Sequence, residues 1–186
     1  MNKARKISGL LIIFGVIGFI LIVVYLQAIQ KGYDPLEQQM SELALGKQGS
    51  LLILAFACLA LSIFNVKIGL QPYQLPTFLN SIIIVASICM LGAGIFRIGV
   101  ATNLHIALVS IAFILIVLVM YFLPNEGGEF GSSVNKVFSW SAGIGTAASI
   151  ALGQNIVPLG IGQRAAALCM SVWLLWIGMR LVLKGN

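Results

Sequence analysis

Polar positions break this chain at nearly regular intervals, and between the breaks lie six runs of about 20 mostly apolar residues, at 7–29, 50–70, 77–97, 103–123, 134–154 and 163–183. A run of about 20 apolar residues in a helix matches the thickness of a bilayer's hydrocarbon core. The breaks carry turn chemistry: Gln71-Pro72 with Pro76, Thr102-Asn103, Pro124-Asn125 with Gly127-Gly128, and Pro158 with Gly160 and Gly162. The pattern predicts an all-α, polytopic membrane protein, a six-transmembrane-helix bundle forming a single integral membrane domain over residues 1–186. An even number of spans puts both chain ends on one side.

The first run follows Lys3-Ala4-Arg5-Lys6, as a secretory signal would. It is longer than the usual signal core of about 7 to 15 residues, and no small-residue cleavage site follows. It is read as a retained first span.

One connection is long. In Gln30–Ser50, Asp34 and Pro35 suit the N-cap and first position of a helix, Glu37 the capping-box position, and Gly46 the end. Leu36, Met40, Leu43 and Ala44 would then share one face, so a short amphipathic helix that lies along the outer membrane interface or re-enters the bundle mouth is expected here. The fifth run is rich in small residues, among them Ser139, Ser141, Gly143, Gly145 and Ser149. Small residues let helix backbones approach closely in lipid, and the run is expected to be a central helix of the bundle.

Composition sharpens this picture. Of 186 residues, 60% are hydrophobic and 9% charged, whereas soluble domains carry about 25% charged residues. The net charge of +6 does not imply a nucleic-acid partner, because the basic residues stand singly at the ends of apolar runs. With the N-terminus inside, the inner segments hold Lys3, Arg5, Lys6, Lys67, Lys136, Arg180 and Lys184, against Lys31, Lys47, Arg97 and Arg164 outside. That bias predicts cytoplasmic N- and C-termini. Trp173 and Trp176 sit too deep in the sixth span to be interfacial anchors.

Ionisable groups near hydrocarbon need a partner or a route to water, since each costs about 2.5 to 3.5 kcal/mol at a span centre. Ser41, Glu42, Arg97, His105, Gln154, Asn155, Gln163 and Arg164 all fall at the outer ends of their spans. Taken singly, Arg97 and Arg164 read as snorkelling anchors, His105 as a hydrogen-bonded interfacial histidine and Glu42 as a water-facing residue. Taken together, Ser41, Glu42, Arg97, His105, Gln163 and Arg164 form the candidate ligand-binding set. In it Glu42 pairs with Arg97 or Arg164, while the remaining cation and His105 meet an anionic headgroup.

Other chemistries fail on counting. One histidine and three dispersed cysteines, Cys58, Cys89 and Cys169, offer no zinc or bis-histidine haem site. No Walker A, dinucleotide fingerprint or nucleophile elbow is present. Ser41 and Glu42 point about 100° apart on a helix, so a Ser41-His105-Glu42 triad is disfavoured. No catalytic residue, metal or cofactor is assigned.

Tyr33-Asp34-Pro35 through Ser41-Glu42-Leu43 with Gly49, then Gly94-Ile95-Phe96, Leu104-His105 and Gly162-Gln163-Arg164 before the Trp-containing last span resemble domain of unknown function family 998, an uncharacterised prokaryotic membrane family. The resemblance covers nearly the whole chain. It implies a six-span protein of the prokaryotic cytoplasmic membrane and a site that includes Ser41, Glu42, Leu43 and His105. Where the family pattern has Pro and Asp after the third-span Phe, this chain has Arg97 and no acid before His105. The resemblance supplies no reaction.

The reading that follows is a membrane-embedded binding or accessory protein whose outer polar pocket holds a lipid headgroup or another amphiphile. The alternatives are a small-solute or proton-coupled transporter and an intramembrane lipid-modifying enzyme using His105 and Glu42.

Overall fold

The computed structural model describes residues 2–126 and 128–183, without the side chains of residues 2, 128, 129 and 154. The expected roles of Gly127, Lys184 and the Gln154 side chain therefore lie outside the described residues. Six α-helices account for most of the chain: α1 (Asn2–Ile29), α2 (Leu51–Gly69), α3 (Thr77–Ile95), α4 (Thr102–Glu126), α5 (Ser133–Asn155) and α6 (Leu159–Leu183). At about 1.5 Å per residue these helices of 19 to 28 residues approach or exceed the roughly 30 Å of a hydrocarbon core.

Five of them, all but α5, are long and apolar enough to cross a membrane. The α5 helix has the length, at 23 residues, but Asn135, Lys136 and its series of Ser, Gly and Thr lower its apolar content. The chain is thus an all-helical membrane bundle.

Each helix packs against its neighbours in sequence, and α1 closes the ring on α6. Leu59, Ile63, Ile83, Ile116, Trp173 and Leu174 are among the buried residues that fill the middle. Outward positions are apolar too, such as Phe14, Ile88 and Ile114, as expected of helices solvated by lipid. The bundle has two ends. The proximal end holds the starts of α1, α3 and α5; the distal end holds the 30–50 segment, the α3–α4 turn and the α5–α6 turn.

Four expectations require adjustment. The long connection contains no α-helix beginning at Pro35. Residues 35–38 form turns, and a short 3-10 helix follows at Met40–Leu45. Asp34 does cap its turn, with its carboxylate accepting the Leu36 N–H at 2.9 Å, and Gly46 does end the helix. The capping carboxylate is Glu42 rather than Glu37: Glu42 Oε1 accepts the Gln39 N–H at 3.0 Å. The physical reason is competition for carbonyls, since those of residues 36–38 are taken by α6, as described below.

The second adjustment concerns Pro124, which lies inside α4 rather than in a turn. Gly160 and Gly162, expected in a turn, lie in the first turns of α6. Finally, α5 sits at the rim and not the centre of the bundle: its neighbours are α4 and α6, and Ile144 is 69% exposed. Its small residues do serve close approach. A Cβ on Gly153 would stand 2.7 Å from the Gly162 Cα, so α5 and α6 touch backbone to backbone where only glycine fits. Trp173 is buried deep in the bundle, as its position predicts, and donates its indole N–H to Ser139 Oγ at 2.9 Å.

Candidate functional site

The distal end is built around the first turn of α6. A helix start leaves backbone N–H donors without intrahelical partners. Here Gly160 N–H donates to Glu37 O at 3.2 Å and Ile161 N–H to Leu36 O at 3.1 Å. The approach is possible because residue 160 lacks a side chain: a Cβ there would lie 2.6 Å from both Leu36 O and Gln38 O.

Side chains from the next turn extend the seam. Arg164 donates to Gln38 O at 2.9 Å, to Gly160 O at 3.0 Å and to the Tyr33 hydroxyl. Gln163 Oε1 accepts the Met40 N–H at 2.6 Å. Tyr33 in turn donates to Gln39 O at 2.9 Å. Residues 33–46 therefore form a strap held on α6 by backbone polar groups. Gln30 ties its far side, donating to Leu43 O at 2.8 Å.

Burial raises the Tyr33 hydroxyl above its ordinary pKa of 10.0; the hydrogen bond and charge of Arg164 oppose that rise only in part, and Glu42 and Asp34 add to it.

Beneath the strap lies a cavity of about 350 Å³, within the range of small-molecule sites. Its polar wall is made by Gln39, Ser41, His105 and Gln163, and its apolar walls include Val109 and Phe113 of α4, Ile150 of α5 and Ala166 of α6. Along α4 the lining runs from His105 to Ile114, about 14 Å at the helical rise. It opens on the flank of the bundle, because the lining residues Ile106, Ser110, Ile114 and Leu159 are also exposed. A smaller void of about 30 Å³ shares Ser41, Val109, Phe113 and Gln163 with it and reaches toward Met90 and Met170.

The cleft has a structural origin. The α4–α5 hydrogen bonds lie toward the proximal end: Ser139 Oγ to Met120 O at 2.7 Å and Trp140 Nε1 to Tyr121 O at 3.0 Å. At the distal end α5 is held to α6 by the Gly153–Gly162 contact, while His105 holds α4 to α3. The cavity lies between those attachments, lined by both helices.

His105 is 2% exposed. Its Nδ1 lies 2.8 Å from Ala93 O, and its ring meets Phe56 edge-on at 5.6 Å. A carbonyl can only accept, so Nδ1 carries a proton; in the neutral ring Nε2 is then an acceptor. Nε2 is buried and has no partner among the described residues. A buried polar atom left unmatched costs about 1 to 3 kcal/mol, which makes this wall of the cavity a place for a donor.

The expected set is thus divided. Ser41, His105 and Gln163 line one cavity. Arg164 does not line it: its terminal nitrogens donate to the strap and to Gly160 O, and its buried Nε has no partner among the described residues. Glu42 caps its own turn, receives the Gln38 amide at 3.3 Å, and borders a separate open crevice with Tyr33, Lys31 and Lys47. Among the described residues no ion pair joins Glu42 to Arg97 or Arg164. Arg97 follows the C-terminus of α3 in the α3–α4 turn and lines neither space. Gln39, Ile150 and the α4 stripe Val109–Phe113 were not anticipated; Gln39 was legible only as a polar neighbour of Ser41.

The family described as Protein of unknown function (DUF998) matches residues 13–180, from within α1 to within α6. No curated protein and no solved structure matches the chain.

Proposed function

The chain belongs to the DUF998 family of proteins of unknown function, and from the geometry of its distal end we propose that it is a membrane protein that binds a lipid or other amphiphile. The polar head lies at the Gln39-Ser41-His105-Gln163 wall and the tail runs along α4, beside the α5 and α6 residues that line the cavity. The observation that carries this reading is the composite cleft: one polar wall under the strap, apolar walls elsewhere, and a mouth on the lipid-facing flank. A water-soluble solute would have no need of a lateral mouth.

We place α5 across the bilayer as a sixth span, since it stands in the ring between two membrane-length helices and is about 34 Å long. Among the described residues the proximal end carries six basic and two acidic residues, the distal end four and three. That bias supports a cytoplasmic proximal end in the cell membrane, with the cleft in the outer leaflet.

Against an acid–base enzyme, His105 and Glu42 border different spaces. Against transport, the helices run unbroken, without the half-helices that usually form substrate sites.

The test is photo-crosslinking in nanodiscs with two lipids, one carrying a diazirine at the end of its acyl chain and one at its head. Peptide mapping should find tail adducts on residues 106–114 and head adducts on residues 39–41 and 163. Adducts spread evenly over all lipid-facing helices would sink the reading.

A further inference from the structure

Building on that amphiphile reading, the hydrogen-bonding inventory of the polar wall narrows the class of head it accepts. Each wall group has one direction already committed. Gln163 spends its carbonyl on the Met40 N–H, and Gln39 spends its carbonyl on the Ser41 hydroxyl at 3.1 Å. What the two amides have left is N–H, for which no partner stands among the described residues. His105 spends its N–H on Ala93 O, and what it has left is the Nε2 lone pair. The polar wall therefore presents the lone pairs of His105 Nε2 and Ser41 Oγ beside two amide donors, with the Ser110 hydroxyl further along α4.

No charged residue lines it. The guanidinium closest in sequence, Arg164, does not line the cavity: its two terminal nitrogens donate to Gln38 O, Gly160 O and the Tyr33 hydroxyl, and its buried Nε has no partner among the described residues. A phosphate brought to this wall would meet a lone pair at Nε2 and no fixed cation, a combination that desolvation makes unfavourable. An alcohol matches instead, because it donates and accepts at one oxygen.

We infer that the site selects an uncharged, hydroxyl-bearing amphiphile, with its O–H donating to His105 Nε2 and its hydroxyl or adjacent ester oxygens accepting from Gln163 and Gln39. A glyceride with one free hydroxyl, such as a diacylglycerol, has that pattern. The two chains of such a lipid have the lateral mouth by which to leave the cleft, at the exposed lining residues of α4.

The experiment is native mass spectrometry of the full chain in micelles holding equal amounts of acyl-matched diacylglycerol, its O-methyl ether, phosphatidic acid and phosphatidylglycerol. The expected result is that diacylglycerol adducts exceed those of the ether and of either anionic lipid by about tenfold. His105→Phe keeps an aromatic ring against Phe56 and should abolish that preference, and Ile150→Trp, which fills the cleft, should remove the adducts. Ether and alcohol binding equally well, on wild-type protein alone, would overturn the inference whether or not His105→Phe folds. Anionic lipids favoured, with loss in Ile150→Trp, would overturn the inference and leave amphiphile binding standing. Adducts of every lipid indifferent to Ile150→Trp would overturn both.

Discussion

Gln163 of α6 accepts the backbone N–H of Met40 at 2.6 Å, across 123 positions of sequence. The bond lies at the junction of strap and cleft. It satisfies a donor of the strap, and the same side chain lines the cavity. One side chain therefore takes part both in ordering the strap and in the polarity of the site.

Arg164 should govern strap order more than its charge suggests. Its planar fork serves Gln38 O, Gly160 O and Tyr33 from one side chain, a geometry that lysine cannot reproduce. Arg164→Lys is expected to accelerate amide exchange in residues 33–46 by about tenfold, equivalent to about 1.4 kcal/mol of local opening. Hydrogen-exchange mass spectrometry would read it. Unchanged exchange in that segment would show that the backbone seam alone holds the strap.

Gly160 is expected to tolerate no side chain. The Cβ of Gly160→Ala would meet two backbone oxygens at 2.6 Å, and neither can rotate away. Overpacking of this kind costs about 1 to 3 kcal/mol. A lower melting temperature in detergent, with new proteolytic cleavage within 36–46, is the expected outcome. A melting temperature equal to wild type would mean that the strap shifts freely.

Ser139 joins three helices: it donates to Met120 O of α4 from α5 and accepts the Trp173 N–H of α6. Ser139→Ala and Trp173→Phe each remove one end of the α5–α6 bond. Interhelical hydrogen bonds in membranes average about 0.6 kcal/mol, with a maximum near 1.7. A double-mutant cycle by reversible unfolding in mixed micelles should return a coupling in that interval. Strict additivity would count against the bond as a joint of the bundle.

Alkaline pH should loosen the strap through Tyr33. Its folded pKa is raised above the ordinary 10.0 because burial disfavours the phenolate. The folded strap thus binds the proton more tightly than the open chain does. Its contribution is complete below the open-chain value and falls as pH rises through the raised one. Difference absorbance against Tyr33→Phe should show one phenol ionising later than free tyrosine, and later still in Arg164→Ala, where the opposing cation is gone. Earlier ionisation in Arg164→Ala would contradict the assigned balance.

Much of the molecule could be read from the chain. Hydropathy runs located all six helices to within a few residues at most ends, because hydrocarbon demands long apolar stretches whatever their neighbours are. The ends drifted where a proline or glycine has two lawful uses. Pro124 stays inside α4, and Gly160 and Gly162 serve close packing within α6 instead of a turn. Ser41, His105 and Gln163 could be singled out because polar residues in apolar context are costly, and that cost is local.

What only the tertiary structure decided is which polar groups meet. Asp34-Pro35-Glu37 spells a helix start, yet the carbonyls of residues 36–38 found partners on α6 and no α-helix formed. By the same competition Arg164 and Glu42 were drawn away from each other, and His105 was left with one open nitrogen facing an uncharged cleft. Hydrophobic periodicity is a property of each segment and survives in the sequence. Saturation of hydrogen bonds depends on what arrives from a hundred residues away, and that is settled only when the helices pack.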